Sequence, residues 1–153
     1  MASIALANLP ATIEMPFLKS LNLSENKIAQ LKASSFERTS LLQELDLSKN
    51  KLANFNANGA WRKLISLRKL HLSENPAQVV SKGDFDVLVN LELLDISKLP
   101  QLNHLDCDAL SRLSKLKALM IFGYPQLAFL ESQECLQHVN GHLETLAIEM
   151  KEV

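Results

Sequence analysis

The apolar residues of this chain recur in one frame. Leu42, Leu45 and Leu47 are followed by Asn50; Leu18, Leu21 and Leu23 by Asn26; Leu67, Leu70 and Leu72 by Asn75. The spacing LxxLxLxxN returns every 24 or 25 residues, and a fixed period of that length marks stacked supersecondary units. In LxL the two leucines lie two apart, so on a strand they share one face and the residue between them takes the other. A strand of about five residues cannot form a core with two or three inward leucines alone. Stacked copies can, because each buries its leucines against the next.

Behind each strand the frame continues. The first full repeat adds Ile28, Leu31 and Phe36; the second Leu52, Phe55 and Trp61, with an extra residue near Asn58-Gly59; the third Ala77, Val80 and Phe85. These residues, with Leu110 after them, are expected to close each coil opposite its strand. The chain must turn sharply after every strand, and an inward Asn amide can donate to and accept from the backbone groups of such a turn. Asn26, Asn50 and Asn75 are therefore expected to form a ladder between coils. The fourth and fifth repeats keep Leu91, Leu94, Ile96 and Leu116, Leu119, Ile121 but replace the asparagine turn with Leu99-Pro100 and Tyr124-Pro125. Leu143, Leu146 and Ile148 open a sixth strand. One domain, 1–153, results: a partial repeat at 1–17, repeats at 18–41, 42–66, 67–90, 91–115 and 116–142, and an incomplete one at 143–153.

This pattern resembles the leucine-rich repeat family in its typical 24-residue class, LxxLxLxxNxLxxLxxxxFxxLxx, found in Toll, slit and chaoptin-like extracellular proteins. Leu18–Phe36, Leu42–Trp61 and Leu67–Phe85 carry the resemblance, which spans residues 18–148. It implies an α/β solenoid with a curved parallel β-sheet on its concave face and a mostly irregular or short-helical convex side. It also implies non-enzymatic protein recognition, here as a piece of an extracellular or receptor-type protein. The chain departs from the family in repeats four and five and has no cysteine-rich cap. An intracellular scaffold or adaptor in the cytoplasm is the alternative.

Composition narrows the classes. Aromatics are 5% of a chain that is 47% hydrophobic, so leucine supplies the core. A net charge of −1 with interspersed signs offers no long-range field to nucleic acid or an anionic bilayer. No apolar run nears the roughly 18 residues of a spanning helix. The start, MASIALANLP, lacks the basic region and the apolar length of a secretory signal, which fits a cytosolic chain or a fragment of a longer one. Both ends leave a coil uncovered, and end-to-end self-association is expected.

If the strands stack in register, their outward residues form columns. The residue between the leucines gives Asn22, Asp46, His71, Asp95, Met120 and Ala147; the next column gives Ser24, Ser48, Ser73, Ser97, Phe122 and Glu149; then come Glu25, Lys49, Glu74 and Lys98. The first four strands present polar residues and the fifth an apolar pair. Asn22, Glu44, Asp46, Lys49, His71, Asp95, Met120 and Phe122 are the partner-binding candidates, with Met120 and Phe122 as anchors. Cover of the pair by a neighbouring coil, a longer parent chain or the descending insertion of the fifth repeat is the competing expectation.

Other chemistry is weaker. Cys135, His138 and His142 are spaced like zinc ligands, but a fourth is missing unless Cys107 supplies it from the coil before, and Asn140-Gly141 interrupts the helix that would align the histidines, so no metal and no cofactor are expected. Cys107 and Cys135 fall at equivalent places on adjacent coils, near enough that a disulfide could form if the protein is secreted. Asn22-Leu23-Ser24 is a glycosylation sequon, on a strand rather than in a loop. His71 between Asp46 and Asp95 is the best catalytic grouping, yet no nucleophile elbow, phosphate loop or metal cluster accompanies it. It reads as a solvated histidine, and the chain as no enzyme.

Overall fold

The computed structural model describes residues 6–55, 59–123 and 144–147. Strands β1 (Ser20–Asn22), β2 (Glu44–Asp46), β3 (Lys69–His71), β5 (Leu93–Asp95), β7 (Ala118–Met120) and β8 (Thr145–Ala147) form one sheet in that order. Every pairing is parallel and in register, with Leu21, Leu45, Leu70, Leu94, Leu119 and Leu146 in one row. This is a repeat solenoid whose coils each contribute one strand. Two further strands, β4 (Val79–Val80) and β6 (His104–Leu105), pair parallel on the side away from the main sheet. The described helices are two single 3-10 turns, Ala60–Lys63 and Cys107–Leu110.

The main strands are three residues long, shorter than the five expected. The chain leaves the sheet through a turn whose residues Glu25, Lys49, Glu74 and Lys98 are left-handed, with φ of 59°, 54°, 56° and 51°. These were expected as a further outward column of the strands; they are instead the pivots of the turn. The ladder survives the turn, since Leu47 N–H donates to His71 O and Lys49 N–H to Ser73 O, both at 2.9 Å.

The asparagine ladder is present. Asn50 Nδ2 donates to Leu47 O in its own turn and to Leu23 O in the preceding one, while its Oδ1 accepts from Ile28 N–H. Asn75 repeats this with Leu72 O, Leu47 O and Leu52 N–H. Asn26 bonds Leu23 O and accepts from Leu6 N–H, so residues from Leu6 onward pack as the descending half of a preceding coil. At the next position Leu99 is fully buried and no amide follows.

The leucines of the frame, from Leu42 to Leu119, are buried, and Leu21 at the first strand is only partly so. Opposite the sheet, Phe36 stacks on Trp61 with ring centroids 6.2 Å apart, and Phe55 meets Phe85 at 6.1 Å. Trp61 Nε1 donates to Phe55 O at 2.8 Å, which lets a polar indole close the second coil.

Just before the closing aromatic, Ser35 Oγ accepts from Lys32 N–H at 3.0 Å. Asp84 holds the same place one coil pair later, its Oδ2 accepting from Ser81 N–H at 2.8 Å. Asp84 is 3% exposed, and its Oδ1 has no hydrogen-bond partner. Burial pushes its carboxyl above the usual range, against the Ser81 N–H that pulls it down.

Candidate functional site

The in-register stack brings the predicted columns together on one face. Asn22, Asp46, His71, Asp95, Met120 and Ala147 are successive partners across the sheet, and Glu44 stands opposite Lys69 and Ser20. Each strand therefore offers its outward residues to the same surface, while its leucines hold the coil in place.

The polar half of this face is partly occupied by its own turns. Asp46 Oδ1 accepts from Ser48 N–H at 2.9 Å and Ser48 Oγ at 2.6 Å. Asp95 does the same with Ser97 at 3.0 and 2.6 Å, and Asn22 with Ser24 at 2.8 and 2.7 Å. A short polar side chain that bonds the backbone two residues on is the usual way to start such a turn. The serine column is thus turned toward its neighbours, and Ser97 is buried. The signal was present as Asn-Leu-Ser, Asp-Leu-Ser and Asp-Ile-Ser at equivalent places. It also shows that the sequon at Asn22 is one copy of a structural repeat, at the exposed edge strand.

His71 takes the place of the aspartate in the third strand. Its Nδ1 lies 3.7 Å from Asp95 Oδ2, an ion pair rather than a hydrogen bond. The Asp95 carboxylate raises the imidazole pKa above its ordinary value, with burial opposing and Asp46, Asp95 and Glu44 adding their fields. Burial pushes Asp95 up, but His71, the Ser97 hydroxyl and N–H, and Ser73 together bring it below the usual carboxylate range. The imidazolium form stabilises the fold below the unfolded histidine pKa, and that contribution is lost as pH rises through the raised folded value. Asp95 contributes above its unfolded pKa and loses this as pH falls through the lowered one. His71→Gln is therefore expected to cost about 0.5 kcal/mol between those two limits and nothing above them. Urea denaturation of both proteins across pH checks this, and a cost that persists at alkaline pH contradicts it.

Elsewhere on the face, Lys49 Nζ donates to Glu25 Oε1 at 2.9 Å, which raises the Lys49 pKa. Lys69 reaches Glu44 at 3.9 Å. Both pairs are exposed and contribute little to stability.

The other half is apolar. Leu93 faces Ala118 across β5 and β7, Met120 lies beside them, and Phe122 follows in the turn. All four are half-buried. Leu93 belongs to the patch but was not expected there, because its column otherwise reads Ser20, Glu44 and Lys69. The patch is continuous with Asp95, the partner of Met120 in register.

Among the described residues, no group of His, Cys, Asp and Glu is placed to hold a metal, and no helix is long and apolar enough to cross a membrane. Cys135, His138 and His142 lie outside the described residues, and with them the zinc-like spacing and the Cys107–Cys135 pairing.

Residues 16–75 match the family model described as leucine rich repeat. Among solved structures, the chain is similar to TLR13 in the TLR13–ssRNA13 complex, with 31% identity and a TM-score of 0.69 over 85% of this chain and 18% of that one. Internalin C2 from Listeria monocytogenes is similar at 21% identity, TM-score 0.64, 86% of this chain and 51% of that one. Toll in the Toll–Spatzle complex of Drosophila is similar at 24% identity, TM-score 0.63, 80% of this chain and 18% of that one. The last two likenesses concern the fold alone. The chain spans about a fifth of TLR13 and of Toll and about half of the internalin. No curated protein matches it in sequence.

Proposed function

We propose, from the premise that the chain is a leucine-rich repeat solenoid, that it is a non-enzymatic recognition module seating a protein partner on the concave sheet. The observation that carries this reading is the half-buried cluster Leu93, Ala118, Met120 and Phe122 on an otherwise polar face. Apolar side chains at the centre of a contact, with a polar rim, are what dominate binding energy. Glu44, Asp46, Lys49, His71 and Asp95 form that rim, with Asn22 at its far edge.

A protein partner fits this face better than a nucleic acid. Phosphate binding needs clustered cations, whereas the central column presents Asp46 and Asp95 on either side of His71. TLR13, similar at 31% identity, is bound to ssRNA13 in its structure, so the protein ligand is read from this face and not from that likeness. The typical-class repeat pattern supports a place at the cell surface or outside it, within a longer receptor-type protein with a signalling role.

Expressed behind a secretion signal and tested against an array of extracellular protein domains, the chain is expected to retain a partner. Phe122→Ser and Met120→Ser each weaken that binding about tenfold without lowering the melting temperature. Binding indifferent to both apolar substitutions, in proteins that remain folded, overturns the concave reading.

A further inference from the structure

Away from the concave sheet, one flank carries exposed apolar residues. Here each coil turns back from its closing side into its strand. Phe17, Leu41, Ile65 and Val89 stand 24 residues apart in turn and are 84%, 45%, 59% and 49% exposed. The coils repeat at 24, 25 and 24 residues, so Phe17 and Leu41 share one frame position and Ile65 and Val89 the adjacent one, two in-register pairs offset by a residue. The core does not require them, because the buried residues of the same turns are Thr39, Leu64 and Leu88. Single exposed apolar residues are ordinary; Ile65 and Val89, in register on adjacent coils, form a surface.

The charges beside that surface define what fits it. Glu37 is shared by two cations, Arg62 at 2.8 Å and Lys63 at 4.0 Å. Glu92 is likewise shared by Arg68 at 3.4 Å and Lys117 at 3.8 Å. Lys115 Nζ donates at 2.6 Å to Asn90 Oδ1, a neutral amide, and Asn90 in turn donates to Ile65 O. The neighbouring pairs Arg38–Glu14 and Arg112–Asp86 are one-to-one and neutral. Glu144 stands with Lys115 and Lys117 and offsets part of this charge, and the flank keeps a smaller positive surplus in a chain whose net charge is −1. A shallow hollow of about 430 Å³ opens between Ile65, Arg68, Asn90, Glu92 and Lys115, where the apolar pair meets that charge.

We propose that this flank docks a protein segment that carries an acidic side chain beside a leucine, isoleucine or phenylalanine. The apolar group lies on Ile65 and Val89, and the carboxylate enters the hollow to pair with Lys115, whose partner among the described residues is the neutral Asn90 amide, while Arg68 stays with Glu92. A second copy of the chain meeting it flank to flank would bring like charges together. An anionic bilayer is a poorer fit, because Glu37 and Glu92 hold most of the cations and a hollow of this size suits one side chain. This docking is independent of the concave face.

The test pans a displayed random-peptide library against the full chain. Enriched peptides are expected to pair Asp or Glu with Leu, Ile or Phe. Their affinity falls about tenfold in Ile65→Ser and in Lys115→Glu, and holds in Phe122→Ser. The Lys115→Glu chain selects peptides with basic residues in place of acidic ones. Val89→Ser serves as a second apolar variant should Ile65→Ser lower the folded fraction. Failure to enrich any peptide dependent on Ile65 or Val89 and on Lys115 overturns the proposal. So does capture of phosphatidylserine–phosphatidylcholine vesicles with no peptide selected, or a sedimentation-detected dimer that Ile65→Ser dissolves.

Discussion

Asn75→Ala is expected to destabilise the fold by about 4 kcal/mol, Asn50→Ala by about 3, and Asn26→Ala by about 1. The three side chains make nearly the same bonds, and the order comes from what each leaves behind. Without Asn50, Ile28 N–H loses its acceptor, but Leu23 O keeps the Asn26 amide and Leu47 O keeps that of Asn75. One buried group is orphaned. Asn75 is the last rung: its loss strands Leu52 N–H, and Leu72 O as well, because the next coil offers Leu99 where an amide would reach back. Asn26 is half exposed, and water replaces much of what it supplies. Guanidinium denaturation of the three variants measures the order. Equal losses at positions 50 and 75, or losses below about 1 kcal/mol at both, contradict the account of shared carbonyls.

Asp84→Ser is expected to stabilise the protein by about 2 kcal/mol at neutral pH. Serine at this place keeps the bond to the backbone N–H three residues earlier, as Ser35 does with Lys32. It removes a buried carboxylate oxygen that has no partner. The pH dependence separates this from a packing effect. The folded carboxyl pKa is raised, so the unfavourable charged form is present above that value and absent below the unfolded one. The advantage of the serine variant should therefore narrow as pH falls through the raised pKa. Paired melting curves from neutral to acid pH test it. A destabilised variant, or a gap independent of pH, removes the premise that Asp84 is a burden.

The candidate site was legible to different depths. Leucine spacing placed Asn22, Asp46, His71, Asp95 and Met120 in one column, because a period of two on each strand and a fixed period between strands leave no other register. The same spacing could not show that Asp46 and Asp95 spend one oxygen each on Ser48 and Ser97. It does place Leu93, one residue before the inward Leu94, in the outward column with Ser20, Glu44, Lys69 and Ala118. Lys49 and Lys98 were legible as polar and exposed, but their left-handed φ depends on how the neighbouring turns hydrogen-bond, which hydropathy does not record.

What this sequence determined alone was the stack: the leucines, the asparagines and the closing aromatics repeat with one period, and burial of each set requires the next coil. Tertiary structure decided the rest. The shared carboxylates Glu37 and Glu92 and the pairing of Leu93 with Ala118 join residues from different coils, and the Asp84 oxygen is orphaned because no neighbouring coil supplies a donor among the described residues. Their energies depend on distances between repeats, and a pattern read along one chain carries only the distances within them.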